Sequence, residues 1–220
     1  TGQLVNIYSA GLAGAFNHAA GTLIISGKPP SAAIWSDAVI RALFHVGVDS
    51  TNYVRIIELG NGQVQYAHRV GDTSKTVTLS GVNTTGWFRV ALTWNDTGHR
   101  LRGYFNGAQV DLDVTGLSEL AGALGSTLCC LGAQTTAAQL PWSGSLAHAV
   151  LLDVEATPEQ IEAEYALAPP WMAFTDRPYS DLPANQYLVN THAHGTPSST
   201  DASSTAAEMI AAYAAAGYDA

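Results

Sequence analysis

The 220 residues are 47% hydrophobic and only 12% charged, with 21 glycines. This composition fits a turn-rich globular protein with a sizeable core and excludes disorder over the bulk of the chain. The formal net charge is -9 with the few lysines and arginines scattered, so no footprint for nucleic acid or an anionic membrane surface is present.

No charged-then-apolar leader and no long apolar span marks the chain for secretion or membrane insertion. The chain starts at Thr1 without Met and ends at Ala220 directly after a helix-like segment, so it reads as a piece of a longer protein. Its two cysteines, Cys129 and Cys130, are adjacent. In an extended strand neighbouring side chains point to opposite faces, which predicts two free thiols and no disulfide between them.

From residue 23 to 154 the sequence is a series of short apolar runs rich in β-branched and aromatic residues and broken by Gly, Asn, Asp and Ser, the pattern of an all-β domain. Tyr53-Val-Arg-Ile-Ile-Glu-Leu59 and Gln63-Val-Gln-Tyr-Ala-His68 flank Asn61-Gly62 and predict a hairpin. In Trp87-Phe-Arg-Val-Ala-Leu-Thr-Trp94, Phe88, Val90, Leu92 and Trp94 fall on one face. Arg89 and Thr93 fall on the other, predicting one core face and one wetter face. Leu101-Arg-Gly-Tyr-Phe-Asn106 then meets Asn106-Gly107, a dipeptide suited to a two-residue type I′ turn, so a second hairpin follows. After a strand over 146–154, Thr157-Pro-Glu-Gln160 supplies an N-cap, a first-turn proline and a capping-box Gln, with Ile161 and Tyr165 on one helical face. Pro169-Pro170 ends that helix, and 175–185, with Pro178 and Pro183, reads as a linker. Beyond it, residues 186–190 form a short strand and Thr205-Ala-Ala-Glu208 opens an Ala-rich helix that Gly217 would close. The expected organisation is a sandwich over 1–174, a linker over 175–185 and a strand-loop-helix appendage over 186–220.

The order of an early Gly-Thr-Leu strand, Gly86-Trp87 leading into Val-Ala-Leu-Thr-Trp94, Tyr104-Phe-Asn-Gly107, Trp142-Ser-Gly144 and Thr157-Pro-Glu-Gln-Ile161 resembles a laminin-G-like, concanavalin A-like lectin domain. The resemblance spans residues 4–174 and implies an antiparallel jelly-roll β-sandwich. Pro170-Trp171-Met-Ala-Phe174 and Thr127-Leu-Cys-Cys-Leu-Gly132 resemble segments of such modules in bacteriophage structural proteins. That likeness implies a virion or extracellular setting, with glycans, virion subunits or further copies of the chain as partners. The plain structural role of these residues is core filling by the aromatics and register setting by the Asn-Gly turns.

In the tail, His192-Ala-His194 places two imidazoles on one face of a strand, where they could ligate a transition metal. With Asp201, Thr205-Ala-Ala-Glu-Met-Ile210 and Ala215-Ala-Gly-Tyr-Asp219 it resembles the opening of a polymerase-and-histidinol-phosphatase (PHP) domain, whose members activate water with several metals. Asn190 stands where an acidic residue is common, and about thirty residues cannot close a barrel of repeated βα units. No phosphate loop, nucleophile elbow or strand-borne carboxylate pair is evident. The expected function is therefore a non-catalytic recognition or structural module. The alternative is the N-terminal part of a metal-dependent phosphoesterase, and a glycoside hydrolase is the weakest reading. Laminin-G-like domains also imply calcium at a sandwich rim. Asp49, Asp72 and Asp96 in predicted turns are candidate carriers, although Asp also favours turns for its own backbone hydrogen bonds. The predicted loops 49–52, 71–75 and 95–99 carry no sugar-specific pattern, and His18, His45, His68, His99 and His148 show no ligand spacing.

Overall fold

A computed structural model describes residues 4–113 and 115–166. The expectations for 167–220, including the Pro170–Phe174 ending, the linker, the appendage, His192 and His194, lie outside the described residues. Within them the alternating runs pair into two antiparallel sheets. The six-stranded sheet has the order β1 (Val5–Asn6), β10 (Cys129–Leu131), β3 (Arg41–Gly47), β4 (Tyr53–Glu58), β5 (Gln63–Val70), β6 (Thr73–Ser80). The five-stranded sheet has the order β11 (Ser145–Leu152), β2 (Ala20–Lys28), β7 (Phe88–Asn95), β8 (Arg100–Phe105), β9 (Ala108–Asp113). Helices α1 (Ala10–Ala15) and α2 (Pro158–Ala166) flank the strands. The chain is thus an all-β sandwich, as its periodicity predicts.

The core lies between the sheets. Leu23 and Ile25 of β2, with Val90, Leu92 and Trp94 of β7, pack in one cluster with Phe44, Val46, Val54, Ile56, Val64 and Tyr66 of the other sheet. Two rings fit because glycine stands beside them. A Cβ at Gly21 would lie 2.3 Å from the Trp94 ring, and one at Gly103 would lie 2.5 Å from the Tyr66 ring. Tyr66 then donates its hydroxyl to the Tyr104 carbonyl at 2.7 Å, tying the two sheets together.

The second predicted hairpin has the expected turn, with Asn106 at φ 51° and Gly107 at φ 83°, the left-handed pair a type I′ turn requires. The first differs. Between β4 and β5 the positive φ values fall on Gly60 and Gly62 and not on Asn61, so the connection is a four-residue loop. Its path is set by the neighbouring chain: Ala38 N–H donates to the Gly60 carbonyl at 2.8 Å, and a Cβ at Gly60 would sit 2.3 Å from Val39 N. The cysteines are free, with Cys129 in the core and both thiols buried.

The face of β7 expected to be wetter is dry. Arg89, Ala91 and Thr93 are all buried, because the segment after β11 returns across the outside of the five-stranded sheet. Thr157 and Gln160 form the predicted capping box, with Thr157 N–H donating to Gln160 Oε1 at 2.8 Å and Gln160 N–H to Thr157 Oγ1 at 3.3 Å. The α2 residue Ile161 then packs with Ala156, Ile24, Ala91 and Tyr104. Tyr165, expected on the same face, is 42% exposed. Ion pairs hold both sides: Glu155 accepts from Arg100 Nε at 2.9 Å and Arg102 at 2.7 Å, while Arg89 donates to the Glu164 carbonyl and lies 3.8 Å from its carboxylate.

Trp94→Ala is expected to lower the unfolding free energy by about 3 to 5 kcal/mol, read by urea titration; a loss below about 1 kcal/mol would contradict its place in the core. A second expectation concerns pH. His68 sits in the inward row of β5 with Tyr66 and is 1% exposed, and burial holds its pKa at about 4 against an ordinary 6.5. The outward-facing His45 is held at about 4 by the same cause. A histidine depressed in the folded state contributes stability that is complete above its unfolded value. That contribution is lost as pH falls towards the folded one. Unfolding free energy should therefore drop between pH 6.5 and 4, on the order of 1 kcal/mol per pH unit for each ring. Replacing both by Asn should flatten this slope, measured by urea unfolding across that window.

Candidate functional site

The outer face of the six-stranded sheet differs from that of the five-stranded one. Strand parity and register place its side chains in rows. Cys130, His45, Arg55, Ala67 and Thr76 lie side by side across β10, β3, β4, β5 and β6, and the next row is Gly47, Tyr53, Arg69 and Ser74. Arg55 and Arg69 are diagonal neighbours on adjacent strands, close enough for long side chains to meet. The Arg55 guanidinium carbon lies 4.6 Å from the centroid of the Tyr53 ring, a cation–π arrangement. The His45 ring lies 5.3 Å from the same ring. Cys130, His45, Tyr53 and Ala67 of these rows are all buried, and Arg55 and Arg69 are partly exposed.

The electrostatics single this face out. Of the six arginines among the described residues, Arg41, Arg89, Arg100 and Arg102 each have a carboxylate partner. Arg55 and Arg69 have none among the described residues. Arg69 donates from Nε to the Gly71 carbonyl at 3.0 Å. The Arg55 side chain makes no hydrogen bond to the described residues, and its Nε is buried without a partner. Burial first, and then the positive charge of Arg69, hold the Arg55 guanidinium below its ordinary value, with Tyr53 opposing. An arginine nonetheless stays charged at any working pH. Arg55 and Arg69 are thus two neighbouring cations without a carboxylate partner among the described residues, in a chain of net charge -9. The planar fork of a guanidinium matches a carboxylate in particular.

The sequence-based candidates fall elsewhere. Asp49 spends its carboxylate on its own turn, accepting from Thr51 N at 2.7 Å, Thr51 Oγ1 at 2.8 Å and Asn52 N at 2.9 Å. Asp96 accepts from Thr97 N at 2.6 Å. Among the described residues no three His, Cys, Asp or Glu side chains converge in a way that could hold a metal ion. Four histidines lie apart from one another: His18 edge-on to Phe16 at 5.0 Å, His99 on the Leu117 carbonyl, His148 beside Glu164 and His68 in the core. The polar cluster on the sheet face, His45, Tyr53, Arg55 and Arg69, was not singled out by motif. The available signal was the alternation within Tyr53-Val-Arg55, which places a tyrosine and an arginine together outside the core.

The fold is that of a two-sheet lectin-type β-sandwich, and comparison with solved structures agrees. The CBM40 of Ruminococcus gnavus IT-sialidase, solved bound to α2,3-sialyllactose, superposes with a TM-score of 0.61 at 17% identity, covering 74% of this chain and 92% of that one. The leech intramolecular trans-sialidase complexed with 2,7-anhydro-Neu5Ac gives 0.56 at 16% identity, covering 76% of this chain and 26% of that enzyme. The botulinum neurotoxin serotype D binding domain gives 0.53 at 15% identity, covering 74% and 39%. At these identities the likeness establishes the fold. No family model and no curated protein matches the sequence.

Replacing an unpaired, partly buried cation by an apolar side chain of similar length removes a desolvation penalty. Arg55→Met is therefore expected to raise the thermal midpoint, by the equivalent of about 1 kcal/mol, in scanning calorimetry without ligand. A midpoint lowered by a similar amount would assign Arg55 to packing against Tyr53 instead.

Proposed function

We propose that this chain is a non-catalytic carbohydrate-recognition module that binds carboxylated glycans on the outer face of its six-stranded sheet. The observation that carries this reading is the Arg55–Arg69 pair, without a carboxylate partner among the described residues, beside the Tyr53 ring. The guanidiniums supply the charge-assisted bonds that a carboxylate accepts. The likeness to a domain solved with sialyllactose supports the same class of ligand. The glycan-bearing partner is a host surface and the setting a bacteriophage particle, a reading that rests on the sequence resemblance of residues 127–132 and 170–174 to phage structural modules.

A glycan array is the direct test. The chain should retain sialylated or uronic-acid glycans and pass over their neutral counterparts. Arg55→Met and Arg69→Met should each weaken binding by about tenfold or more, the worth of a charge-assisted hydrogen bond. Equal retention of neutral glycans, or full retention by both variants, would contradict this proposal.

A further inference from the structure

Glycine follows asparagine twice in this chain, at Asn61-Gly62 and at Asn106-Gly107. Such a pair is chemically weak, because the glycine nitrogen, unhindered by a side chain, can attack the carboxamide carbon of the asparagine before it. The attack closes a cyclic imide only when the carboxamide is free to turn toward that nitrogen. The two pairs are identical in sequence and unlike in surroundings.

Asn106 is held. Its Oδ1 accepts from Arg89 N–H at 2.9 Å, and its own N–H donates to the Arg89 carbonyl at 2.8 Å. Gly107 lies against Tyr165, so that a Cβ there would come 3.0 Å from Tyr165 Cβ. Turning the Asn106 carboxamide toward Gly107 N would break a partly buried hydrogen bond to the β7 backbone.

Asn61 is exposed. Its Nδ2 donates to Gln63 Oε1 at 2.9 Å, a contact between two side chains at the surface that water replaces at small cost. Neither Asn61 Oδ1 nor Gly62 N–H has a hydrogen-bond partner among the described residues. The peptides on either side are tied down. The Gly60 carbonyl accepts from Ala38 N–H at 2.8 Å, and the Gly62 carbonyl accepts from Val82 N–H at 2.9 Å. The loop therefore leaves the Asn61 carboxamide free and has no slack for a longer main chain.

We infer that Asn61 is a site of spontaneous deamidation, and that its isoaspartyl product pulls the loop off Ala38 or Val82. Gly62 N forms a bond to Asn61 Cγ while the bond from Cγ to Nδ2 breaks, and the proton lost by Gly62 N leaves with Nδ2 as ammonia. Water then opens the imide. Cleavage of the new N–Cγ bond gives aspartate. Cleavage of the original peptide bond gives isoaspartate, whose main chain runs through Cβ and Cγ and is longer by a methylene. Both products add a negative charge, but only the second stretches the segment between the two anchored carbonyls.

Peptide mapping by mass spectrometry of the whole chain, kept folded in mildly alkaline buffer, tests the site. Asn61 should be modified about tenfold or more faster than Asn106, the factor that one retained hydrogen bond adds to the barrier at Asn106. In concentrated urea the two rates should converge, because the local sequence is the same. The Asn61→Asp variant carries the added charge without the added methylene and should keep the thermal midpoint of the unaltered chain, whereas the purified isoaspartyl form should melt lower. Modification of Asn106 as fast as Asn61 in the folded chain, or no modification of Asn61 there, overturns the assignment of the site. An isoaspartyl form that melts with the Asn61→Asp variant overturns its effect on the loop.

Discussion

A ring of one sheet seated against a glycine of the other holds the two sheets in close contact, and a second ring lies over a glycine of its own sheet. Trp94 occupies the space beside Gly21, and Tyr66 the space beside Gly103. The Tyr66 hydroxyl then reaches the backbone of the opposite sheet. Interiors are close-packed, so a ring held this way has no alternative seat. Because β5 carries both Tyr66 inward and Arg69 outward, the packing that fixes the core also fixes the outer rows. A recognition face built on paired central strands is held more firmly than one built on loops.

The two outer faces are put to different uses. On the five-stranded sheet, the segment leading into α2 covers the strands with Ala156 and Ile161 and satisfies Arg89, Arg100 and Arg102 with Glu164 and Glu155. On the six-stranded sheet, Arg55 and Arg69 receive no such carboxylate among the described residues. The contrast matters because acids are twice as numerous as bases, 18 against 9. Folding pairs the arginines under α2 and leaves two others, on adjacent strands, without a carboxylate among the described residues.

The same economy of partners explains the histidines. His45 on β3 and His68 on β5 flank β4 and are both neutral, but they face opposite sides of their sheet. His68 faces the core, where an imidazole mainly fills space. His45 faces the other way, opposite Arg55, and is buried to the same extent. Burial alone does not distinguish the two. Direction does.

The sequence by itself determined the all-β class, the β7–β8 unit, the Asn106-Gly107 turn, the free thiols and the capped helix at Thr157, because each depends on local periodicity or on residues a few positions apart. It also named Trp94 as core, since alternation separates inward from outward without knowledge of the partner strand. It could not say what covers an outward face, so β7 was expected to be wetter on the side that α2 buries. It could not show that the loop at Asn61 is shaped by Val39, a contact across more than twenty positions. Nor could it find the candidate site. Arg55 and Arg69 are fourteen positions apart, and His45 is ten from Arg55, with nothing local to link them. Only the pairing register of β3, β4 and β5 brings them into neighbouring rows. Only the whole fold determines which arginines are left without a carboxylate, because partner choice is a property of tertiary distance and not of sequence spacing.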